Sequence, residues 1–353
     1  MTNDLGSDVF DVLVIGGGVA GLSGALTLSR ARRSVLVLDS GEPRNAPAAA
    51  AHGLLSRDGV APLELLRAGR MEVQMYGGVV VSEWAVNATR ADGLFGVETE
   101  SGKVFRARRL LVTTGLADEL PELPGLSERW GRDVLHCPYC HGWEVQDTSI
   151  GVLGTGVASM HQALLFRQWS SRVTLFLHTG PEPEEEQWER LAARGIEVVH
   201  GEVAGVEVAD GKLSGVRLDS GLLISMQALV VSPRFAARSA LLAGLGISPV
   251  PHPMGLGAYV PADAMGATEV AGVWVAGNVA DLMAGLAQAQ SQGVTAAAAI
   301  NADLVNADAD EAVARLRAAP PGGPFSAASE AMVTERVLGV RRHGLDSLLP
   351  DAE

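Results

Sequence analysis

Only two cysteines occur in this chain of 353 residues, which excludes a disulfide framework of the kind that staples small secreted domains. Positive charge is also scarce: 27 Lys and Arg stand against 41 Asp and Glu, for a net charge of −14. A nucleic-acid partner must be met by clustered cations, so none is expected. The basic pairs Arg32-Arg33, Arg108-Arg109 and Arg341-Arg342 are isolated and read as solvated surface. No apolar run approaches the ~18 residues of a membrane span, so no membrane association is expected. The start, MTNDLGSDVF, carries Asp4 and Asp8 where a secretory signal would carry basic residues before an apolar core. A cytoplasmic location is the expectation. Aromatics make up only 5% of the chain, whereas glycine is abundant at 42 residues and hydrophobic residues reach 47%. That balance belongs to an α/β protein, and the length allows two domains with proper cores.

Both cysteines fall in one stretch, residues 136–144, HCPYCHGWE. Three chemistries could claim it. Cys-x-x-Cys-His is the spacing of c-type haem attachment, Cys-Pro-Tyr-Cys is the wording of a glutaredoxin site, and a Cys-x-x-Cys flanked by His136 and His141 could grip zinc. The stretch alone leaves all three open. Haem attachment takes place outside the cytoplasm, so the missing signal counts against the first.

The segment FDVLVIGGGVAGLSGALTLSRARRSVLVLDSGEPRNA is the most informative long one. Phe10 to Ile15 reads as a buried parallel strand, aliphatic without polar alternation. Gly16, Gly18 and Gly21 follow in G-x-G-x-x-G spacing and open an Ala/Leu helix; a second apolar strand, Ser34 to Leu38, ends at Asp39. Gly16 permits the tight turn, Gly18 admits a pyrophosphate to the backbone, and Gly21 lets helix and strand pack closely. The amides at the helix start suit phosphates, and Asp39 suits a ribose hydroxyl. Glycines alone are common turn residues, but strand, glycines, helix, strand and acid in this order point to dinucleotide binding.

A second unit, TSIGVLGTGVASMHQALLFRQWSSRVTLFLHTG, repeats the scheme, with Gly154 and Gly156 at the turn and Ser159 in place of the third glycine. Between the units, RRLLVTTGLADELPELPG reads as a strand, a Thr-Thr-Gly turn and a proline-rich crossing; VAGVWVAGNVADL near the C-terminus is another strand ending in a glycine turn. This order resembles the low-molecular-weight thioredoxin reductase family of flavoproteins, over about residues 9–305. The resemblance implies two Rossmann-like, three-layer ββα dinucleotide-binding domains. A split FAD-binding domain would take 1–117 and 246–305, an inserted NAD(P)-binding-like domain carrying the Cys-x-x-Cys would take 118–245, and 306–353 would form a helical C-terminal tail. It also implies FAD held by Gly16, Gly18, Gly21, Asp39, Asn45, Thr114, Gly115, Gly277 and Asn278, and a homodimer. The family has Asp where this chain has Asn278, whose amide oxygen can still accept a hydroxyl hydrogen bond.

HCPYCHGWE sits just before the second glycine-rich unit, where that family keeps its redox pair. A glutaredoxin motif would open a helix in a small domain of its own, and zinc would draw on four ligands, so the reading is a redox dithiol with no metal. By resemblance, Cys140 faces the flavin and Cys137 exchanges with substrate. Where the family places an Asp after the second cysteine, this chain has His141, a base better matched to taking a thiol proton at neutral pH; a histidine that merely packs the turn is the plainer alternative, and His136 is the weaker candidate. CPYCHGWE resembles the dithiol oxidases that close the intramolecular disulfides of gliotoxin and holomycin. That resemblance implies a small-molecule or peptide dithiol as substrate and O2 as terminal acceptor, giving H2O2.

NADPH-using relatives follow a His at the end of the second unit's second strand with arginines. Here FLHTGPEPEEEQ keeps His178 but supplies Glu182, Glu184, Glu185 and Glu186. Losing two charge-assisted contacts of roughly 1.5–3 kcal/mol each weakens binding about 10²–10⁴-fold. Arg167 or Arg172 would have to swing in. The second unit therefore reads as a scaffold for the dithiol, with NADPH or NADH use not expected. The glutamates also read as a solvated loop that starts a helix. Two other functions stand beside the oxidase: a thioredoxin reductase-like disulfide reductase driven by NAD(P)H or another donor, and a non-catalytic flavin–dithiol redox sensor. In the tail, PPGGP at 320–324 reads as a linker and Ser326 as the N-cap of a helix through Leu338, with Met332, Val333 and Val337 as an apolar stripe for docking.

Overall fold

The computed structural model describes residues 8–318 and 326–339. By its contacts the chain divides into two compact units, Met1–Ile300 and Asn301–Glu353. In the first unit β1 (Val9–Ile15) leads through α1 (Val19–Arg30) to β2 (Val35–Asp39), and α2 (Pro62–Met75) leads to β3 (Val79–Ser82). A meander of β4 (Ala85–Ala91), β5 (Leu94–Thr99) and β6 (Val104–Val112) follows. The sheet runs β3-β2-β1-β6-β5-β4, with a late strand, Val273–Val275, also beside β6. β1 lies between β2 and β6, parallel to both, and its residues Val12 to Ile15 are buried on both faces of the sheet. Its continuous aliphatic run follows from being covered on both sides. Phe10, Leu13, Ile15, Leu36, Phe95 and Leu110 belong to the core on one side of this sheet.

The chain leaves this sheet through β7 (Leu116–Glu119), and β8 (Val134–Leu135) delivers it to the one-turn helix α3 (Pro138–His141). Then β9 (Ser149–Leu153), α4 (Ala158–Phe166), β10 (Arg172–Phe176), α5 (Glu185–Ala193) and β11 (Glu197–Val199) build the second parallel sheet. A three-stranded antiparallel sheet of β12 (Val203–Ala209), β13 (Lys212–Leu218) and β14 (Leu223–Ser225) leads into β15 (Ala228–Val230), which closes the order β11-β10-β9-β15-β8. Two hairpins share one device. Asp92-Gly93 and Asp210-Gly211 both have positive φ at each central residue, the turn that matches the twist of paired strands.

The return strand β16 (Arg234–Ala237) pairs antiparallel with β7, so outbound and inbound crossings lie side by side. Thr114 Oγ1 donates to the Arg238 carbonyl at 2.6 Å and the Arg238 amide to the Gly115 carbonyl at 2.9 Å, pinning the crossing. These elements straddle the expected boundaries: β7 runs across 117/118, and Leu241 and Leu242 already belong to the first sheet's core. The long helix α6 (Leu286–Ala318) carries the chain from the first unit into the second, so the position 305/306 expected to begin the tail falls inside a continuous helix. In the second unit α7 (Ala327–Leu338) starts at Ser326, whose Oγ accepts the Ser329 amide at 3.1 Å, as a capping serine does. Met332, Val333 and Val337 are exposed, and PPGGP lies outside the described residues.

Candidate active site

A cavity of about 1050 Å³ opens along the C-terminal edge of the first sheet. Among its walls are Gly16, Gly18, Asp39, Asn45, Thr114, Gly115, Gly277 and Asn278, together with Cys137, Cys140 and His141. Of the residues assigned from sequence, Gly21 alone is not on the wall. Its role is packing: a Cβ there would sit 1.9 Å from the Gly16 carbonyl oxygen and 2.5 Å from Thr113 Oγ1. The same contact explains why Thr113 matters, since its hydroxyl donates to the Gly16 carbonyl at 2.8 Å.

The wall fits a dinucleotide. Gly18 is the N-cap of α1 and offers no side-chain cap, so the first-turn amides of that helix stay available to phosphate. Asp39 ends β2, where its Oδ1 accepts the Gly17 amide at 3.1 Å and its Oδ2 the Arg70 guanidinium at 2.5 Å. Arg70 Nε is buried with no partner, an orphaned donor beside that carboxylate. The first residues of α6, Leu286 to Ala289, line the same cavity and aim a second helix start at it.

Asn278 is held in one orientation. Its Nδ2 donates to the carbonyls of Asp281, at 3.0 Å, and Ala284, at 2.9 Å. Flipping the amide would set oxygen against two carbonyl oxygens, so Oδ1 must face the other way. Gln292 braces the same turn: its Oε1 accepts the Gly277 amide at 3.0 Å while its Nε2 donates to Asp281 at 2.9 Å.

Cys137 and Cys140 are disulfide-bonded, with Cα atoms 5.3 Å apart. Cys137 caps α3 and Pro138 takes its first position, where a proline's missing N–H costs nothing. The motif thus opens a helical turn, the feature that the sequence reading reserves for a glutaredoxin site. It stays one turn long and feeds β9 of the second sheet. His141, the last residue of that turn, is half-buried. Burial pushes its pKa below the usual histidine value; the Glu144 carboxylate opposes this and His52 adds to it. His136 Nδ1 lies 3.2 Å from the Val231 carbonyl, its ring packs edge-on to Phe235, and burial pushes its pKa down too.

Four charged side chains carried no sequence assignment, two on the wall, His52 and Arg44, and two in contact with wall residues, Arg70 and Glu144. His52 contacts Asp58 and Glu144. Arg44 forks onto Asp118 with bonds of 2.8 and 2.6 Å, tying the loop after β2 to the outbound crossing. Arg70 pairs with Asp39. Glu144 itself stands in the HCPYCHGWE stretch, where its spacing from His141 was the available signal.

The second glycine-rich turn is arranged differently. Ser159 Oγ accepts the Thr155 amide at 3.2 Å, and the Thr179 and Gly180 amides both donate to the Gly154 carbonyl. Glu184 caps α5 in a reciprocal box with Gln187, and Glu185 and Glu186 occupy the first turn, so these glutamates start a helix. Arg167 donates to the carbonyls of Arg194 and Ser170, and Arg172 to that of Asp147. Neither guanidinium is aimed at the end of β10.

Residues 10–297 match the pyridine nucleotide-disulphide oxidoreductase family. Among curated relatives, thioredoxin reductase sirT of Leptosphaeria maculans is 31% identical over 322 residues, covering 85% of this chain and 96% of the relative. Thioredoxin reductase tcpT of Claviceps purpurea is 37% identical over 180 residues, and this match spans only 56% of the relative and 48% of this chain. The crystal structure of HlmI superposes with a TM-score of 0.82 at 42% identity, covering 88% of this chain and 96% of that one. Among the described residues, no helix is long and apolar enough to cross a membrane and no cluster of His, Cys, Asp and Glu could hold a metal ion.

Proposed function

Because the chain belongs to the pyridine nucleotide-disulphide oxidoreductase family, a family of flavin-dependent enzymes, we propose that it is an FAD-dependent dithiol oxidase. Overall, R(SH)2 + O2 gives RS2 + H2O2, so one substrate S–S bond forms and two electrons and two protons end on oxygen. A flavin bound along the cavity supplies a two-electron acceptor that oxygen can regenerate. Gly16, Gly18 and the start of α1 would hold its pyrophosphate, Asp39 a ribose, and Asn278 Oδ1 a hydroxyl of the linking chain.

The protein's own residues handle the sulfur chemistry. One substrate thiolate attacks Cys137, the Cys137–Cys140 bond breaks, and a mixed disulfide forms. The second substrate thiolate attacks the sulfur bound to Cys137, which releases the closed product and leaves both protein cysteines reduced. Cys140 would be the thiol that faces the flavin. His141, neutral because burial holds its pKa down, removes thiol protons so that attack proceeds through the thiolate.

The observation that carries this direction over a reductase is the end of β10. Glutamates cap a helix there, no arginine follows His178, and Arg167 and Arg172 are spent on backbone carbonyls. A reductase is the second reading, favoured by the printed names of sirT and tcpT and by the second parallel sheet with its glycine turn. An oxygen electrode separates them. Dithiol-dependent O2 uptake with one H2O2 per disulfide formed supports the oxidase; consumption of NADPH without dithiol overturns it.

A further inference from the structure

Closing a disulfide strips a proton from each substrate thiol, and a base enclosed at the dithiol must pass each proton on before it can act again. Beside His141 lies a run of groups suited to that. His52 Nδ1 is 3.3 Å from Asp58 Oδ2, and its Nε2 is 3.2 Å from Glu144 Oε1. A carboxylate accepts from a protonated ring nitrogen and, once it carries a proton itself, donates to an unprotonated one, so each contact can pass a proton. Asp58 is anchored through Oδ1, which accepts the Gly53 amide at 2.9 Å. The side chain of His52 is 22% exposed and those of Glu144 and Asp58 44% and 66%, so His52 is the sheltered link between two carboxylates that meet solvent. Glu144 follows His141 by three residues, and Glu144 and His52 are the charged groups that act on it. His52 and His141 line the same cavity. An ion pair as exposed as His52–Asp58 adds little to stability, so holding the loop is a poor account of the arrangement.

We propose that Glu144 and His52, backed by Asp58, are positioning residues that form the proton exit of the dithiol centre. This rests on the reading of Cys137, Cys140 and His141 as the dithiol site. His141 takes the thiol proton and passes it to the Glu144 carboxylate. His52 then accepts that proton on Nε2 as it releases the one on Nδ1 to Asp58, and Asp58 gives it to water. The electron pair takes a separate route, into the Cys137–Cys140 bond that breaks as the substrate disulfide forms. No group beyond the dithiol and solvent is consumed.

The test uses the full-length, flavin-loaded protein under anaerobic conditions, with dithiothreitol as the probe dithiol and flavin bleaching as the signal, from pH 5.5 to 8.5. In weak buffer E144Q and H52Q should bleach about tenfold more slowly than the parent with an unchanged bound-flavin spectrum, and added imidazole should restore the rate. D58N, at the solvent end, gives the same readout should either variant lose flavin. Rates equal to the parent's at every pH, or a deficit that imidazole does not relieve, would overturn the relay while leaving the dithiol reading intact. A parent protein that dithiothreitol does not bleach would overturn both.

Discussion

Replacing Asn278 with Asp would restore the residue that the resemblance to thioredoxin reductases predicts, and the structure says it should weaken the protein. Both donors of the amide are in use, to the carbonyls of Asp281 and Ala284 at 3.0 and 2.9 Å. An aspartate has no donor to give either carbonyl and instead sets an anionic oxygen against both. Two lost hydrogen bonds at about 1 kcal/mol each, plus the cost of carbonyls left unpaired, amount to about 2–4 kcal/mol. At about 2–4 °C for each kcal/mol in a domain of this size, the melting temperature should fall by about 4–16 °C. The turn between Asp281 and Gly285 also faces the cavity, so FAD affinity should fall by about tenfold or more, since 1.4 kcal/mol is one decade. Differential scanning fluorimetry and flavin fluorescence on dilution measure the two effects. An N278D protein that melts as high as the parent and binds FAD as tightly would refute the orientation assigned to Asn278.

Asn278 marks where sequence reasoning stopped. Its amide oxygen could be named as an acceptor, but the carbonyls that fix the amide come from a turn with no regular pattern. The first βαβ unit was legible because each of its parts has a local cause: an aliphatic strand covered on both faces, glycines where a Cβ would strike backbone, and an acid at the next strand's end. Of the meander only the end of β6, in RRLLVTTG, was legible; β4 and β5 went unread although Asp92-Gly93 marks a hairpin, since both strands carry many exposed or half-exposed residues. The Glu-rich loop was read both as hostile to a phosphate and as a helix start, and the capping box at Glu184 bears out the second. His52 was invisible because its importance depends on a loop returning to Glu144 across 92 positions of sequence, a pairing that no local spacing encodes.

Further outcomes follow from the same geometry. Cys140→Ser should abolish electron entry from dithiols into the flavin; a mutant still bleached by dithiol would overturn the cysteine assignment. His141→Ala should slow that bleaching by about 10²–10⁴-fold with flavin retained, and unchanged rates across pH 6–8 would sink its role as base. Gly21→Ala, whose new methyl would strike the Gly16 carbonyl, should yield protein depleted in flavin, read from the ratio of visible to ultraviolet absorbance. His136, His141 and His178 all have pKa values pushed down by burial. Below the ordinary histidine value of about 6.5 the unfolded chain therefore binds more protons than the folded one, so stability is fully present above that pH and lost as pH falls. Urea titrations at pH 7.5 and 5.5 should show the lower midpoint at pH 5.5; equal midpoints would contradict it.

The direction of electron flow is the central claim, and one anaerobic experiment addresses it. The flavin-loaded protein is divided between two cuvettes, one given a small dithiol and the other NADPH, and the flavin absorbance is followed in each. The account predicts bleaching by the dithiol alone, with the colour returning and peroxide appearing when oxygen is admitted. Rapid bleaching by NADPH, with no response to the dithiol, would contradict it and make the protein a reductase.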